Sequence, residues 1–377
     1  MTPATRGLRV ALVHDWLTGM RGGEKVLEAV AALYPEATLF TLVHVPGSVS
    51  PDIERLSPRA SLLSSLPGAG RIYRHLLPLF PFAIEQFDLD GFDLIVSTSH
   101  CAAKSVVKPG KAVHVCYCFT PMRYVWDQRH AYFGGGRLGS AFGRAFWPVL
   151  AWLARWDAGT AHRVDRYLAD SQHVARRIRR YYNRPSTVLY PPVDTDFFCP
   201  DATVPSATAL VVSALVPYKR IDVAIEGCRL ARIPLRIVGQ GPEESRLRQM
   251  AGPDVSFLGP LSDEGIRGCY REAGVVLLPG EEDFGIVPVE AQACGRPVVA
   301  LGRGGAVETV VDGVTGVLVP SETPDAMANG IRRVLATAFD SATIRRHAEQ
   351  FGRERFSRAF RMLIEETMAA PAGEASW

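Results

Sequence analysis

The sequence predicts an α/β protein built from two doubly wound domains. Three observations lead there: apolar runs alternate with amphipathic segments, the alternation restarts near the middle, and 377 residues exceed the usual size of one core. In the first half, Arg9 to Val13, Leu39 to Val43, Leu94 to Ser97, Ala112 to Cys118, Arg166 to Ala169 and Thr187 to Leu189 read as strands. Gly23 to Leu33 and Ser171 to Tyr181 read as helices. The run Tyr190-Pro191-Pro192-Val193-Asp194-Thr195-Asp196 can continue neither a helix nor a central strand, so it marks the domain boundary. The domains are therefore residues 1–193 and 194–354, with 355–377 as a last helix and tail. Strands of the second domain fall at Ala209 to Ser213, Leu235 to Val238, Val255 to Phe257, Val275 to Leu278, Pro297 to Ala300 and Gly316 to Val319. Such sheets bind ligands outside the carboxyl ends of their strands, so two facing Rossmann-like domains would leave a cleft there.

Composition fits a soluble globular protein, with 47% apolar and 21% charged residues. The net charge of +3 hides an asymmetry. Residues 1–193 carry 23 Lys and Arg against 14 Asp and Glu, and the remainder 19 against 25. A basic half suits phosphate or an anionic membrane surface, and no nucleic-acid partner is expected. Seven cysteines without C-x-x-C spacing predict reduced thiols in a cytoplasmic protein. His114, Cys116 and Cys118 alternate along a strand and read as core rather than as metal ligands. Met1 to Gly7 is polar and leads straight into a strand, so no signal peptide is expected. Ala145 to Ala154, the most apolar later segment, is about half a membrane span.

The most informative segment is Glu282-Asp283-Phe284-Gly285-Ile286-Val287-Pro288-Val289-Glu290, followed by Ala291-Gln292-Ala293-Cys294-Gly295-Arg296-Pro297-Val298-Val299. Pro288 suits a first helical position and Gly295 the residue past the end, which predicts a short helix over 288–294. The N–H groups of Phe284, Gly285, Ile286 and Val287 then sit at a helix N-terminus, where free donors and the macrodipole favour an anion such as a diphosphate. With Leu278-Pro279 before it, this segment resembles the E-x7-E signature of family 4 retaining glycosyltransferases, which have the GT-B architecture. The resemblance implies that Glu290 holds the ribose of a nucleotide sugar and that Glu282 meets the sugar. It also implies that the last helix, about Ser357 to Met368, crosses back onto the first domain.

Other segments take their place beside that resemblance. Ser213-Ala214-Leu215-Val216-Pro217-Tyr218-Lys219-Arg220 follows the second domain's first strand, where the family supplies an Arg and a Lys to the diphosphate. Lys219 matches the Lys and Ala214 stands where the Arg is usual, leaving Arg220 or a residue of the first domain to supply the missing charge. Gly239 and Gly241 follow the next strand, where small residues admit a ligand to the backbone. Leu258 is implied in the base pocket. In the first domain, Asp15 and Trp16 end the opening strand, and Arg21, Gly22 and Gly23 form a glycine-rich turn. It lacks the G-x-G-x-x-G order of dinucleotide sites, but the resemblance implies that Gly22 and Gly23 present N–H groups to the donor's phosphates. Asp15, Trp16, Arg21 and Arg123 are acceptor candidates. His100, after a strand end, is implied to contact the transferred sugar.

The block Tyr117-Cys118-Phe119-Thr120-Pro121-Met122-Arg123-Tyr124-Val125-Trp126-Asp127 resembles a mannosyltransferase-like subgroup of bacterial surface-polysaccharide assembly, although Phe119 stands where His is usual. Arg137 to Arg155, with Phe142, Phe146, Trp147 and Trp152, and the run Arg176-Arg177-Ile178-Arg179-Arg180 suit an anionic membrane surface. Asp88-Leu89-Asp90 and Asp194-Thr195-Asp196 lie far from the donor segment, and no metal or other cofactor is expected. The expected activity is retaining transfer of a hexose, with GDP-mannose favoured, to a glycan or lipid-linked acceptor, with His100, Lys219 and Glu282 as catalytic residues. The alternatives are a UDP-sugar transferase of the same fold, a GT-B nucleotide-sugar epimerase, and a catalytically weak sugar-nucleotide-binding subunit.

Overall fold

The computed structural model describes residues 7–127 and 136–370, without the side chains of 136–146. The chain divides into a first unit that ends at Pro192 and resumes at Phe356, and a second unit of Val193–Arg355.

In the first unit the elements run β1 (Val10–Leu17), α1 (Gly22–Leu33), β2 (Thr38–His44), β3 (Arg59–Ala60), β4 (Leu94–Ser99), β5 (Val113–Cys118), α2 (Gly136–Gly159), β6 (Arg166–Ala169), α3 (Gln172–Tyr182) and β7 (Thr187–Val188). They form a parallel sheet in the order β3-β2-β1-β4-β5-β6-β7. Val10 and Leu12 enter one core cluster while Ala11 and Val13 enter another, so successive residues are buried on opposite faces. This double burial is why the strands read as unbroken apolar runs. Ser171 starts α3 by accepting from the Val174 N–H at 3.0 Å.

The second unit runs β8 (Ala209–Val212), α4 (Ile221–Ala231), β9 (Leu235–Val238), α5 (Glu244–Met250), β10 (Val255–Gly259), α6 (Asp263–Glu272), β11 (Val275–Leu278), α7 (Ile286–Ala293), β12 (Val298–Leu301), β13 (Gly316–Val319), α8 (Pro324–Ala336) and α9 (Ser341–Ala348). Its sheet is also parallel, in the order β10-β9-β8-β11-β12-β13. The last helix, α10 (Arg353–Ala369), sends Phe356, Phe360 and Ile364 into the first unit's core, with Phe356 edge-on to Tyr117 at 5.8 Å. In both sheets the strand order reverses once beside the first strand: between β1 and β4, and between β8 and β11. The loops leaving a reversal diverge, and the opening between them is where such folds hold ligands.

Several expectations change in detail. β1 continues to Leu17, so His14, Asp15 and Trp16 lie within the strand. α7 starts at Ile286, which makes Pro288 its third residue rather than its first. Gly285, with φ of 91°, supplies the left-handed cap that starts the helix early, and Pro288 still has no N–H to leave unbonded in the first turn. The exposed two-residue β3 was not foreseen. The side chains of Arg137, Phe142 and Phe146, the stretch through Arg6 and the tail from residue 371 lie outside the described residues. Among the described residues no helix is long and apolar enough to cross a membrane.

Candidate functional site

At the reversal of the second sheet, the loop after β8 carries Lys219 and the loop after β11 carries Glu282. The Lys219 ammonium pairs with Glu282 Oε1, and both side chains are less than one fifth exposed. Glycines bring these loops together. A Cβ on Gly280 would lie 2.5 Å from the Tyr218 carbonyl oxygen and 3.0 Å from the backbone of Lys219. On the other side, Gly305 N donates to the Glu282 carbonyl at 2.7 Å, and a Cβ on Gly304 would lie 2.3 Å from that same oxygen. Three loops thus pack backbone to backbone around Lys219 and Glu282. Gly280, Gly304 and Gly305 were missed from sequence, where no motif marks them.

Gly285 caps α7, with Ile286 and Val287 half buried in its first turn, while Phe284 is buried edge-on to Phe351 at 5.6 Å. Glu290, also buried, accepts from the Tyr270 hydroxyl at 3.0 Å. Burial and the nearby Glu290 push the Tyr270 phenol well above its ordinary pKa, so it remains a donor. Tyr270 is a further residue that sequence reasoning missed, since nothing in its helix signals the contact.

Two groups of donor-side candidates have partners within the protein. The glycines Gly239 and Gly241 serve the protein's own backbone: a Cβ on Gly239 would lie 1.9 Å from the Ser213 carbonyl oxygen, and one on Gly241 2.3 Å from that of Leu215. Their smallness lets the turn after β9 close on the turn after β8. The Arg220 guanidinium already has carboxylate partners, Asp222 at 3.3 Å and Glu322 at 2.7 Å. Ala214 is exposed in the loop after β8, and Leu258 is 39% exposed on the edge strand β10.

At the reversal of the first sheet, Asp15 on β1 faces the start of the loop after β4. Its carboxylate accepts from four backbone N–H groups, those of His100, Cys101, Ala102 and Ala103, at 2.6 to 2.9 Å. His100 Nδ1 lies 3.1 Å from the same carboxylate. Asp15 is therefore fully buried and engaged, and Trp16 is packed edge-on against His100 at 4.4 Å. Neither is open to an acceptor, which corrects the expectation for both: they hold His100 in place. The His100 side chain keeps 27% of its surface exposed. Burial draws its imidazole below the ordinary pKa against the opposing pull of Asp15, favouring the neutral ring.

Around it, His14 Nδ1 meets Thr98 Oγ1 at 2.7 Å and Phe119 lies 6.2 Å from the His100 ring. Gly23 faces the Phe119 ring, where a Cβ would make ordinary contact at 3.5 Å. Gly22 opens α1, and the exposed Arg21 caps it by donating its N–H to Glu24 Oε2 at 3.1 Å. Arg123 begins a one-turn helix, Arg123–Trp126.

The remaining motifs are structural where described. His114 is buried with its Nε2 2.8 Å from Ser97 Oγ, and Cys116 and Cys118 are core residues. Asp194 Oδ1 accepts from Phe197 N and the same side chain pairs with Arg353, while Asp88 accepts from Asp90 N. In the basic run, Arg177 turns inward to Thr120 and Asp127, and Arg176, Arg179 and Arg180 face outward.

Comparison with known proteins agrees with this geometry. Residues 21–197 match the family model described as Glycosyltransferase Family 4, and residues 196–355 the one described as Glycosyl transferases group 1. Curated relatives include D-inositol 3-phosphate glycosyltransferases of Geodermatophilus obscurus, 37% identical over 51% of this chain and 50% of that protein, and of Mycolicibacterium gilvum, 33% identical over 49% and 47%. The chain spans about half the length of the curated relatives it matches. Among solved structures, Anabaena HepE in complex with UDP-glucose has a TM-score of 0.70 at 19% identity, covering 95% of this chain and 99% of HepE. The sucrose-phosphate synthase of Thermosynechococcus elongatus scores 0.69 at 20% identity, covering 96% and 100%. With two parallel Rossmann-like sheets, the fold is GT-B.

Proposed function

We propose, from the premise that both domains are those of a family 4-like glycosyltransferase, that this protein transfers a hexose from a nucleoside diphosphate sugar to a glycan or lipid-linked acceptor. The observation that carries the reading is the Lys219–Glu282 pair at the second sheet's reversal, beside the N-terminus of α7. In this reading the diphosphate takes up Lys219 and the N–H groups at the start of α7, which stabilise charge as the sugar departs. Glu282 turns to the hydroxyls of the sugar, and Glu290, held by Tyr270, takes the ribose. His100, which burial keeps neutral and Asp15 steadies, is the residue of the first unit proposed to act on the sugar. Attack occurs on the face the leaving group vacates, with the departing phosphate taking the acceptor's proton, so configuration is retained without a metal or a covalent enzyme intermediate.

The donor we propose is GDP-mannose, supported by the Tyr117 to Asp127 block. A UDP-hexose is the second reading, favoured by the UDP-glucose in the structurally similar HepE. A thermal-shift panel of GDP, UDP, ADP and their sugars separates the two, because a ligand that binds only the native state raises the melting temperature. Glu290→Ala should mainly weaken nucleotide binding and Glu282→Ala mainly the use of the sugar. Epimer formation without acceptor would move the assignment to an epimerase, and donor binding without any turnover to a binding subunit. Activity lost to EDTA and restored by Mn²⁺ would overturn metal independence.

We extend the proposal to peripheral contact with an anionic membrane on the cytoplasmic side. Between Glu54 and Glu85 the chain has four arginines and no carboxylate, and it exposes Leu62, Ile72, Leu79 and Phe82. Phe82 stacks on Trp152 of α2 at 6.0 Å, and Trp147 is 52% exposed on the same helix. Exposed apolar side chains in a segment rich in arginine suit a bilayer with acidic headgroups. Flotation with liposomes should depend on anionic lipid and drop in Phe82→Ser/Trp152→Ser; flotation indifferent to lipid charge would remove the contact.

A further inference from the structure

The carboxyl-end loops of the second sheet, at residues 213–220, 239–243, 260–262, 279–285, 302–305 and 320–323, contain three basic residues: Lys219, Arg220 and Arg303. Lys219 is paired with Glu282, and Arg220 with Asp222 and Glu322. Arg303 is exposed, and its guanidinium has no hydrogen-bond or ion-pair partner among the described residues. Carboxylates are plentiful beside these cations, with Glu281, Glu282 and Asp283 in one loop and Asp222 and Glu322 around Arg220. A diphosphate approaching this edge needs a positive charge that is not already neutralised.

The fold also fixes where Arg303 stands. β12 neighbours β11 in the sheet, so the loop that follows β12 lies beside the Glu282 loop. Arg303 N donates to the Leu301 carbonyl at 2.7 Å, a tight turn at the strand end. The next two residues are the glycines that press against Glu282 and Phe284, where a Cβ on Gly305 would lie 2.3 Å from the Phe284 Cα. The arginine is thereby held within one residue of the backbone that carries Glu282 and leads into α7.

We propose that Arg303 is the cation that binds the donor's diphosphate in place of the arginine absent at Ala214. This rests on the nucleotide-sugar reading above and adds to it a specific ligand for the leaving group. A guanidinium suits the task because its planar fork bonds two phosphate oxygens at once.

The test is isothermal titration of the full chain with GDP, GMP, UDP and UMP, using wild type, Arg303→Ala, Arg303→Gln and the double variant Arg303→Ala/Ala214→Arg. Both single variants should weaken the preferred diphosphate about tenfold or more, as expected for one charged hydrogen-bond partner, and weaken its monophosphate much less. Arginine at 214 should restore most of the lost diphosphate affinity. An unchanged diphosphate constant in both single variants, or equal loss for mono- and diphosphate, overturns the role of Arg303 while leaving the nucleotide reading intact. Wild type that binds neither GDP nor UDP overturns that reading and this proposal with it.

Discussion

The two sheets share one topology and use their reversals in opposite ways. At the first, a buried carboxylate organises the edge: Asp15 takes four backbone N–H groups, and His14 bonds Thr98 through Nδ1. At the second, the backbone does the packing through Gly280, Gly304 and Gly305, and the charges of Lys219 and Glu282 stay partly exposed and paired. One edge is tied together by a buried carboxylate, and the other by glycine-packed loops around an ion pair. Substitution of Asp15 at the first should therefore act on stability, and substitutions at the second on ligand binding.

The largest effect expected is that of Asp15→Ala, which strips the acceptor from four buried donors. A loss of roughly 3 to 5 kcal/mol in urea unfolding is expected. A change below about 1 kcal/mol would break the contrast, because the first edge would then not depend on its buried carboxylate.

Acid should act next, again through the first unit. Burial lowers the His114 pKa from 6.5 to about 4, so the unfolded chain takes up a proton at a pH where the folded chain does not. The stability from keeping this ring neutral is complete above pH 6.5, falls as pH drops below it and is gone near pH 4. The shift corresponds to about 3 kcal/mol at most. His114→Gln should flatten the wild-type slope of unfolding free energy between pH 6.5 and 4.5, and identical slopes would contradict this.

At the second edge, Gly280→Ala forces a Cβ against Tyr218 and Lys219. It should cost about 1 to 3 kcal/mol, with a proportionally greater loss of nucleotide affinity than of stability. Intact binding in a destabilised protein would show that the two loops need not touch. Smallest is Tyr270→Phe, which removes one hydrogen bond to Glu290 and should cost about 1 kcal/mol in unfolding or in nucleotide affinity, measured by calorimetry.

The sequence made the sheets legible because their strands are buried on both faces. Arg166 to Ala169, Leu235 to Val238, Val275 to Leu278 and Gly316 to Val319 read with the bounds the structure has. Exposed β3, with two residues and no apolar pattern, offered nothing to read. At the site, Lys219 and Glu282 were visible through the family resemblance, and the structure pairs them. Asp15 was misjudged because its partners lie 85 to 88 residues further on, and no local pattern shows a carboxylate facing inward. Gly239 and Gly241 were visible, but whether a missing Cβ admits a ligand or a neighbouring strand end depends on tertiary packing.

Under the proposed function, the Lys219–Glu282 pair makes the two halves of a donor interdependent. A nucleotide that claims Lys219 strands a half-buried carboxylate unless hydroxyls arrive with it, so the intact donor compensates a loss that its own product cannot. In that reading, once the hexose has left, Glu282 would compete with the diphosphate for the same ammonium, and the spent nucleotide would be the weaker ligand. The affinity gap between a sugar nucleotide and its bare diphosphate should therefore narrow in Glu282→Gln; an unaltered gap would mean that the two sites act independently.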